Sequence, residues 1–305
     1  MSALPSPSIQ LARSLNVVPL DELPAMSAFQ LFSSQMESGS TEAAVDAMKR
    51  VPIVARAMNR DDASSKLIPY LTTIALKQPP YPDELLLLLG QQLPEVVALI
   101  GAKCVTDVLP LLERLAAVEE TVVRDEAVSV FQNITEQHVE SNSGATETLQ
   151  ALVGVAKRLA GADWFTAKVS ACGTIAPILA VLNKITPPPS NAAATSTELL
   201  HLYRELCHDD TPMVRRAAAK HLGKCFCQAG PTQAGKEFAL QTLPVLQRDE
   251  QDSVRLLAAA ALADAGPEFG KSNPQWTSQH WLPLLKDGST DMSWYVNLLL
   301  APLIS

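Results

Sequence analysis

One pattern, recurring about every forty residues, constrains this chain more than any other feature. A turn rich in Asp, Glu, Ser or Thr leads into Val with a basic residue, and then into a small, Ala-rich segment. The clearest copies are EETVVRDEAV (119–128), DDTPMVRRAAA (209–219) and DEQDSVRLLAA (249–259). ADWFTAKVSAC (162–172) and TDMSWYVNLLLA (290–301) are variants, and STEAAVDAMKRV (40–51) and PDELLLLLG (82–90) are weaker copies upstream. The equivalent positions Ala44, Leu86, Arg124, Lys168, Arg215, Arg255 and Asn297 follow one another at steps of 42, 38, 44, 47, 40 and 42 residues. A unit of that length holds two helices and cannot bury its apolar face alone, so it must stack on its neighbours.

Each unit reads as two helices joined by a polar turn. The first helix ends in an apolar segment, such as 106–112 or 242–246. Asp210, Thr211 or Asp252 is placed to cap the second helix, because a short side-chain oxygen satisfies backbone donors left open there. Pro212 suits the first helical turn, where its missing N–H costs nothing. Ala217, Ala218 and Ala219, like Ala258 to Ala261, permit close helix contact. No segment alternates as a strand bounded by hairpin turns would. The expectation is an all-α fold, an α-solenoid (superhelix) of about seven HEAT repeats. The approximate units are 27–58, 61–101, 103–140, 145–184, 198–231, 235–271 and 275–305, after a tail at 1–26. A Pro-rich loop at 186–196 is inserted between the fourth and fifth units.

Composition narrows the function. The formal net charge is −8 and the sequence pI about 5.2. Such a chain lacks the basic stripe of a nucleic-acid surface and has nothing to hold an anionic membrane. Its natural complement is a basic patch on another protein. Hydrophobic residues make up 47% and aromatics 5%, which favours helices packed by small and medium side chains. The five scattered cysteines do not form a disulfide framework. The start carries no signal-peptide pattern, and the apolar run Leu85 to Leu89 is too short to span a bilayer. These features place the chain in the cytoplasm or nucleus.

At the turns the match goes beyond a generic repeat. VEETVVRDEAV, KRLAGADWFTAKVSACG, LCHDDTPMVRRAAAKHLG and DEQDSVRLLA resemble, in order, the turns of the scaffolding A subunit of protein phosphatase 2A. The resemblance runs from about residue 30 to about residue 296. It implies a non-catalytic scaffold that needs no cofactor or metal. Its amino-terminal turns receive regulatory B subunits, and later repeats hold the catalytic subunit. On this chain the implied regulatory-subunit contacts are Glu119 and Glu120, then Asp163, Trp164 and Phe165. Asp210, Thr211, Pro212, Met213, Arg215 and Arg216 follow, then Asp249, Glu250, Asp252 and Ser253, and last Trp294. In the seventh turn Tyr295 and Asn297 stand where the family has Arg. About seven units correspond to an amino-terminal half, so the catalytic subunit is expected to bind weakly or only to a longer form. The rivals are a decoy that withholds B subunits and an unrelated HEAT-repeat adaptor. The apolar stretch Leu298 to Leu303 is expected to seek a partner, self-associate or fray.

Several signals have plainer readings. Arg124, Lys168, Arg215 and Arg255 recur in a stacked array, so each is expected to bond an Asp of the neighbouring turn. Arg216 is extra to the pattern and is the better contact candidate. Trp164 is expected at an interface, whereas Phe165 belongs to the core. Glu119-Glu120 and Asp209-Asp210 read as turn charges rather than catalytic pairs. Cys225-x-Cys227 near Cys207 and His208 has the wrong spacing for zinc. Gly230 to Glu237 resembles a phosphate loop but lacks the hydroxyl after Lys236, and reads as an inter-helix turn.

Overall fold

The computed structural model of the chain describes residues 27–77, 80–101, 105–138, 145–185, 189–230, 232–272, 274–293 and 296. All regular structure among these residues is helical. The chain divides into two compact units, Met1–Ala151 and Leu152–Ser305, and each is described by itself.

The first unit runs through α1 (Ala28–Met36), α2 (Thr41–Met48), α3 (Val51–Ala57), α4 (Arg60–Asp62), α5 (Ile68–Leu76), α6 (Asp83–Ile100), α7 (Val105–Leu115) and α8 (Thr121–His138). α5 packs on α7 and α6 packs on α8, so equivalent helices of successive hairpins form layers. Buried Leu, Val and Ile side chains fill the space between, among them Leu71, Leu89, Leu93, Val97 and Leu112. Ser27 opens α1 with a reciprocal capping box, its hydroxyl accepting from the Gln30 N–H. A single wider turn at Ala63–Leu67 precedes Pro69, and the matching turn at Thr277–Trp281 precedes Pro283. Proline lacks the N–H and crowds the carbonyl four residues back, which the wider turn relieves.

Helix α9 (Ala145–Ala160) starts in the first unit and ends in the second. The second unit continues with α10 (Phe165–Lys184), α11 (Ala192–Cys207), α12 (Pro212–Ala229), α13 (Gln233–Gln247), α14 (Asp252–Ser272), α15 (Pro274–Trp276) and α16 (Leu282–Gly288). α10, α12 and α14 pack side by side in one layer, and α11 packs on α13 in the other. The alanines make the close approach possible: a Cβ added at Gly223 of α12 would lie 3.4 Å from the Ala261 Cα of α14. Two polar tips reach buried carbonyls. The Tyr203 hydroxyl donates to Ala218 O at 2.7 Å and the Trp281 indole to Leu262 O at 3.1 Å. Gly230 ends α12 with φ 59°, a left-handed conformation that lets the chain turn into the next hairpin.

Two expectations need correction. The loop placed at 186–196 is shorter, because α11 already begins at Ala192. Thr211 occupies the N-cap of α12 without a side-chain capping bond, and Asp252 is the first residue of α14 rather than its cap. α10 is long and apolar enough to cross a membrane, with mean hydropathy 1.6, but 78% of that window is buried inside the protein. Its hydropathy is that of a central core helix. The tail at 1–26, Trp294, Tyr295, Asn297 and the stretch Leu298 to Leu303 lie outside the described residues.

Candidate partner-binding ridge

Four turns of the second unit, 161–164, 208–211, 248–251 and 289–293, each join the two helices of a hairpin or follow its first helix. Three of them share one device. Asp209 Oδ1 accepts the Thr211 N–H at 2.8 Å, Asp249 Oδ1 the Gln251 N–H at 2.9 Å, and Asp291 Oδ1 the Ser293 N–H at 2.7 Å. The first acidic residue of each turn therefore caps the backbone that the sequence had assigned to its neighbours.

The other carboxylate oxygen holds the preceding repeat. Lys168 Nζ reaches Asp209 Oδ2 at 2.8 Å, Arg215 Nε reaches Asp249 Oδ2 at 2.5 Å, and Arg255 Nε reaches Asp291 Oδ2 at 2.7 Å. Each arginine also bonds backwards. Arg215 Nη1 donates to the Asp209 and Asp210 carbonyls, both at 3.0 Å, and Arg255 Nη1 to Asp249 O at 2.9 Å. The result is a continuous ladder, Lys168–Asp209–Arg215–Asp249–Arg255–Asp291, that ties the first turn of α10 and the three turns 208–211, 248–251 and 289–293 in a row. Burial raises the Asp209 carboxyl, but the Lys168 and Thr211 hydrogen bonds outweigh it and hold its pKa below the ordinary value. Asp291 behaves alike, with burial opposed by Arg255 and the Ser293 N–H. The Asp249 hydrogen bond holds the Arg215 guanidinium above its usual pKa. The expected ladder thus forms for Lys168, Arg215 and Arg255. Arg124, in the first unit, departs from it: its Nη1 donates to Val118 O and Glu119 O, within its own turn.

The ladder separates residues that the sequence had grouped together. Asp249 has only 3% of its side chain exposed and is consumed by the ion pair, as is Arg215. Both serve the frame of the ridge. What remains outward is one or more positions further on. Glu250 has 72% of its side chain exposed, and Asp163, Asp210, Arg216 and Asp252 are also exposed. Trp164 is 58% exposed and Met213 57%. Phe165 is half-buried, its ring centroid 5.5 Å from that of Trp164. Thr211, Pro212 and Ser253 are half-buried at the turn edge. Met292, 97% exposed in the last described turn, was missed, because a lone Met in a polar turn gives no sequence signal. Glu119 and Glu120 belong to the first unit's turn at 116–120, where the neighbouring Val122 is exposed.

The chemistry-bearing residues are otherwise placed as core or turn. Cys172, Cys207 and Cys225 are buried and free, and burial pushes the Cys225 thiol up to about 12. Cys227 points to solvent on the opposite side of α12. Among the described residues no group of three His, Cys, Asp or Glu stands close enough to hold a metal ion. The loop-like segment near Gly230 is an inter-helix turn: the Thr232 hydroxyl caps α13 by accepting the Gly235 N–H at 3.0 Å.

Layered hairpins with a laddered row of turns define a helical-repeat protein of the HEAT and armadillo class. The fold of the karyopherin Kap121p agrees, with a TM-score of 0.55 at 13% identity, over 95% of this chain and 31% of that one. No protein-family model matches the chain. Its sequence relatives are nonetheless specific. It is 36% identical over 230 residues to a probable PP2A regulatory subunit of Caenorhabditis elegans, covering 75% of this chain and 36% of the relative. It is 37% identical to the beta isoform of the human 65 kDa regulatory A subunit of phosphatase 2A, over 62% of this chain and 29% of the relative. The PP2A regulatory A subunit of Saccharomyces cerevisiae matches at 30% identity, over 84% of this chain and 39% of its own length. The chain is therefore a relative of the regulatory A subunits of protein phosphatase 2A. It spans between 29% and 39% of the length of those relatives.

Proposed function

We propose that this chain is a non-catalytic scaffold of a phosphatase 2A-type complex, receiving a regulatory B subunit on the turn ridge of its second unit. The observation that carries the proposal is the division of labour in the turns. The ladder fixes the backbone of three turns and holds the start of α10 to the first of them, and Trp164 and Met213 are left outward beside alternating charges. Large apolar side chains held on a rigid frame suit the centre of an interface, and their fixed position reduces the ordering cost of binding. A scaffold of this kind raises the local concentration of one subunit beside another. The similarity to regulatory A subunits supports the same reading and names the kind of complex.

The test is capture of purified regulatory B subunit by the native chain and by Trp164→Ala. Removing a central aromatic should weaken binding at least about tenfold. Far-ultraviolet circular dichroism should not change, because the Trp164 ring is mostly in solvent. Undiminished capture by a normally folded variant would refute the assignment of the ridge. Adding catalytic subunit to the same assay reads whether it is recovered through this chain directly or only with B subunit present.

A further inference from the structure

Helix α12 carries a basic row that starts at the turn ridge and runs beyond it. Arg216, Lys220 and Lys224 follow one another at i, i+4 and i+8 and are all exposed. At 1.5 Å per residue they form a single row about 12 Å long. Met213, three residues before Arg216, extends the same face with an exposed apolar side chain. α10 and α14 flank this helix, and α11 backs it, so the row lies on the face that the unit leaves open.

The row contributes nothing to the fold. Like charges one helical turn apart repel. Several other cations of the unit find carboxylates: Lys157 pairs with Glu198, Arg204 with Glu205, and Arg248 with Asp287. Arg216, Lys220 and Lys224 make no ion pair or hydrogen bond within the described residues. In a chain of net charge −8, three such cations in line are a local reversal of sign.

We infer that the Arg216–Lys220–Lys224 face is a docking stripe for an acidic helix of a partner protein, with carboxylates one turn apart and an apolar residue against Met213. The match is one of spacing: a facing helix presents Glu at i, i+4 and i+8 with the same repeat. A nucleic acid fits less well. The stripe is one side chain wide, and Asp210, Glu250, Asp252 and Asp264 stand exposed around it to repel phosphates. This inference shares Met213 and Arg216 with the ridge of the phosphatase reading and goes beyond it at Lys220 and Lys224, which lie further along α12, so a variant at those two lysines reads it separately from capture of B subunit.

The probe is a synthetic Ala-rich helical peptide with Glu at those three spacings, titrated into the full chain carrying ¹³C-methyl methionine. The Met213 methyl signal should shift, and the exposed Met292 methyl should not. The double variant K220E/K224E, changed only at exposed side chains, should bind about tenfold more weakly. A peptide with Lys in place of Glu should bind the variant and not the native chain, and added salt should weaken both matched pairs. The inference is overturned if the Met213 signal does not respond, or if charge reversal leaves the affinity unchanged. It is equally overturned if a short single-stranded oligonucleotide shifts that signal at lower concentration than the peptide.

Discussion

Replacing Asp249 by Ala should cut the ladder at its most buried rung. The carboxylate accepts Arg215 Nε at 2.5 Å, Arg215 Nη2 at 3.2 Å and the Gln251 N–H at 2.9 Å. Its loss strands the Gln251 N–H and leaves a guanidinium that is mostly buried without its main counter-ion. Removing one partner of a buried pair costs about 3–5 kcal/mol. Arg215 keeps Glu250 at 3.2 Å and two backbone carbonyls, so the loss here should be smaller, about 2–3 kcal/mol. Because each repeat touches only its neighbours, the damage should be felt as a separate, earlier phase of urea unfolding. Circular dichroism and tryptophan fluorescence followed together would resolve that phase. A double-mutant cycle with Arg215→Met isolates the pair, and its coupling should exceed about 1 kcal/mol. A loss below about 0.5 kcal/mol for Asp249→Ala, as for an ordinary surface change, would refute the ladder as the frame of the ridge.

Acid should act on the same frame. Asp209 and Asp291 titrate below the ordinary value of 3.8 in the folded chain, so their contribution is complete above that pH. It is lost as the pH falls from there through the lowered folded-state values, and Asp209→Asn should flatten the fall in melting temperature over that window. Gly235→Ala tests close approach rather than charge. A Cβ there would collide with the Gly230 carbonyl and lie 2.9 Å from Ala229 O, and shifting α13 to make room should cost about 1–3 kcal/mol in thermal unfolding. An unchanged melting temperature would show that α13 moves aside without cost.

The repeat was legible because its signal is redundant. Arg215 and Arg255 occupy the same place in two copies, and an inter-repeat bond formed at one position must form at the next. Helix content followed from the same period and from the lack of strand alternation. Details that depend on a single residue were not legible. Thr211 and Asp252 have the composition of helix caps, but the bond that caps is made by the acid two or three residues earlier, which no propensity distinguishes. The central place of α10 was not legible either, because Thr166, Ser170 and Thr174 interrupt its apolar residues, and only the packing shows that all three are buried. The basic row on α12 was not singled out in the sequence, because three cations at helical spacing gain meaning only once the open face of that helix is known.

The acidic doublets show why site prediction from these turns falls short of fold prediction. Asp209-Asp210 and Asp249-Glu250 are alike as strings, and both members of each have the charge expected of a contact surface. Geometry splits them. The first member turns inward, because its short side chain reaches both the N–H two residues on and the cation of the previous repeat. The second is carried outward by the same turn, which is why Glu250 stands in solvent while Asp249 does not. A ridge built this way has its shape set by one residue of the pair and its surface chemistry set by the next. Partner choice can then change at Asp210, Met213, Arg216 or Glu250 with little effect on the stacking. Arg215 and Asp249 are fixed by their neighbours, whatever the ridge is used to hold.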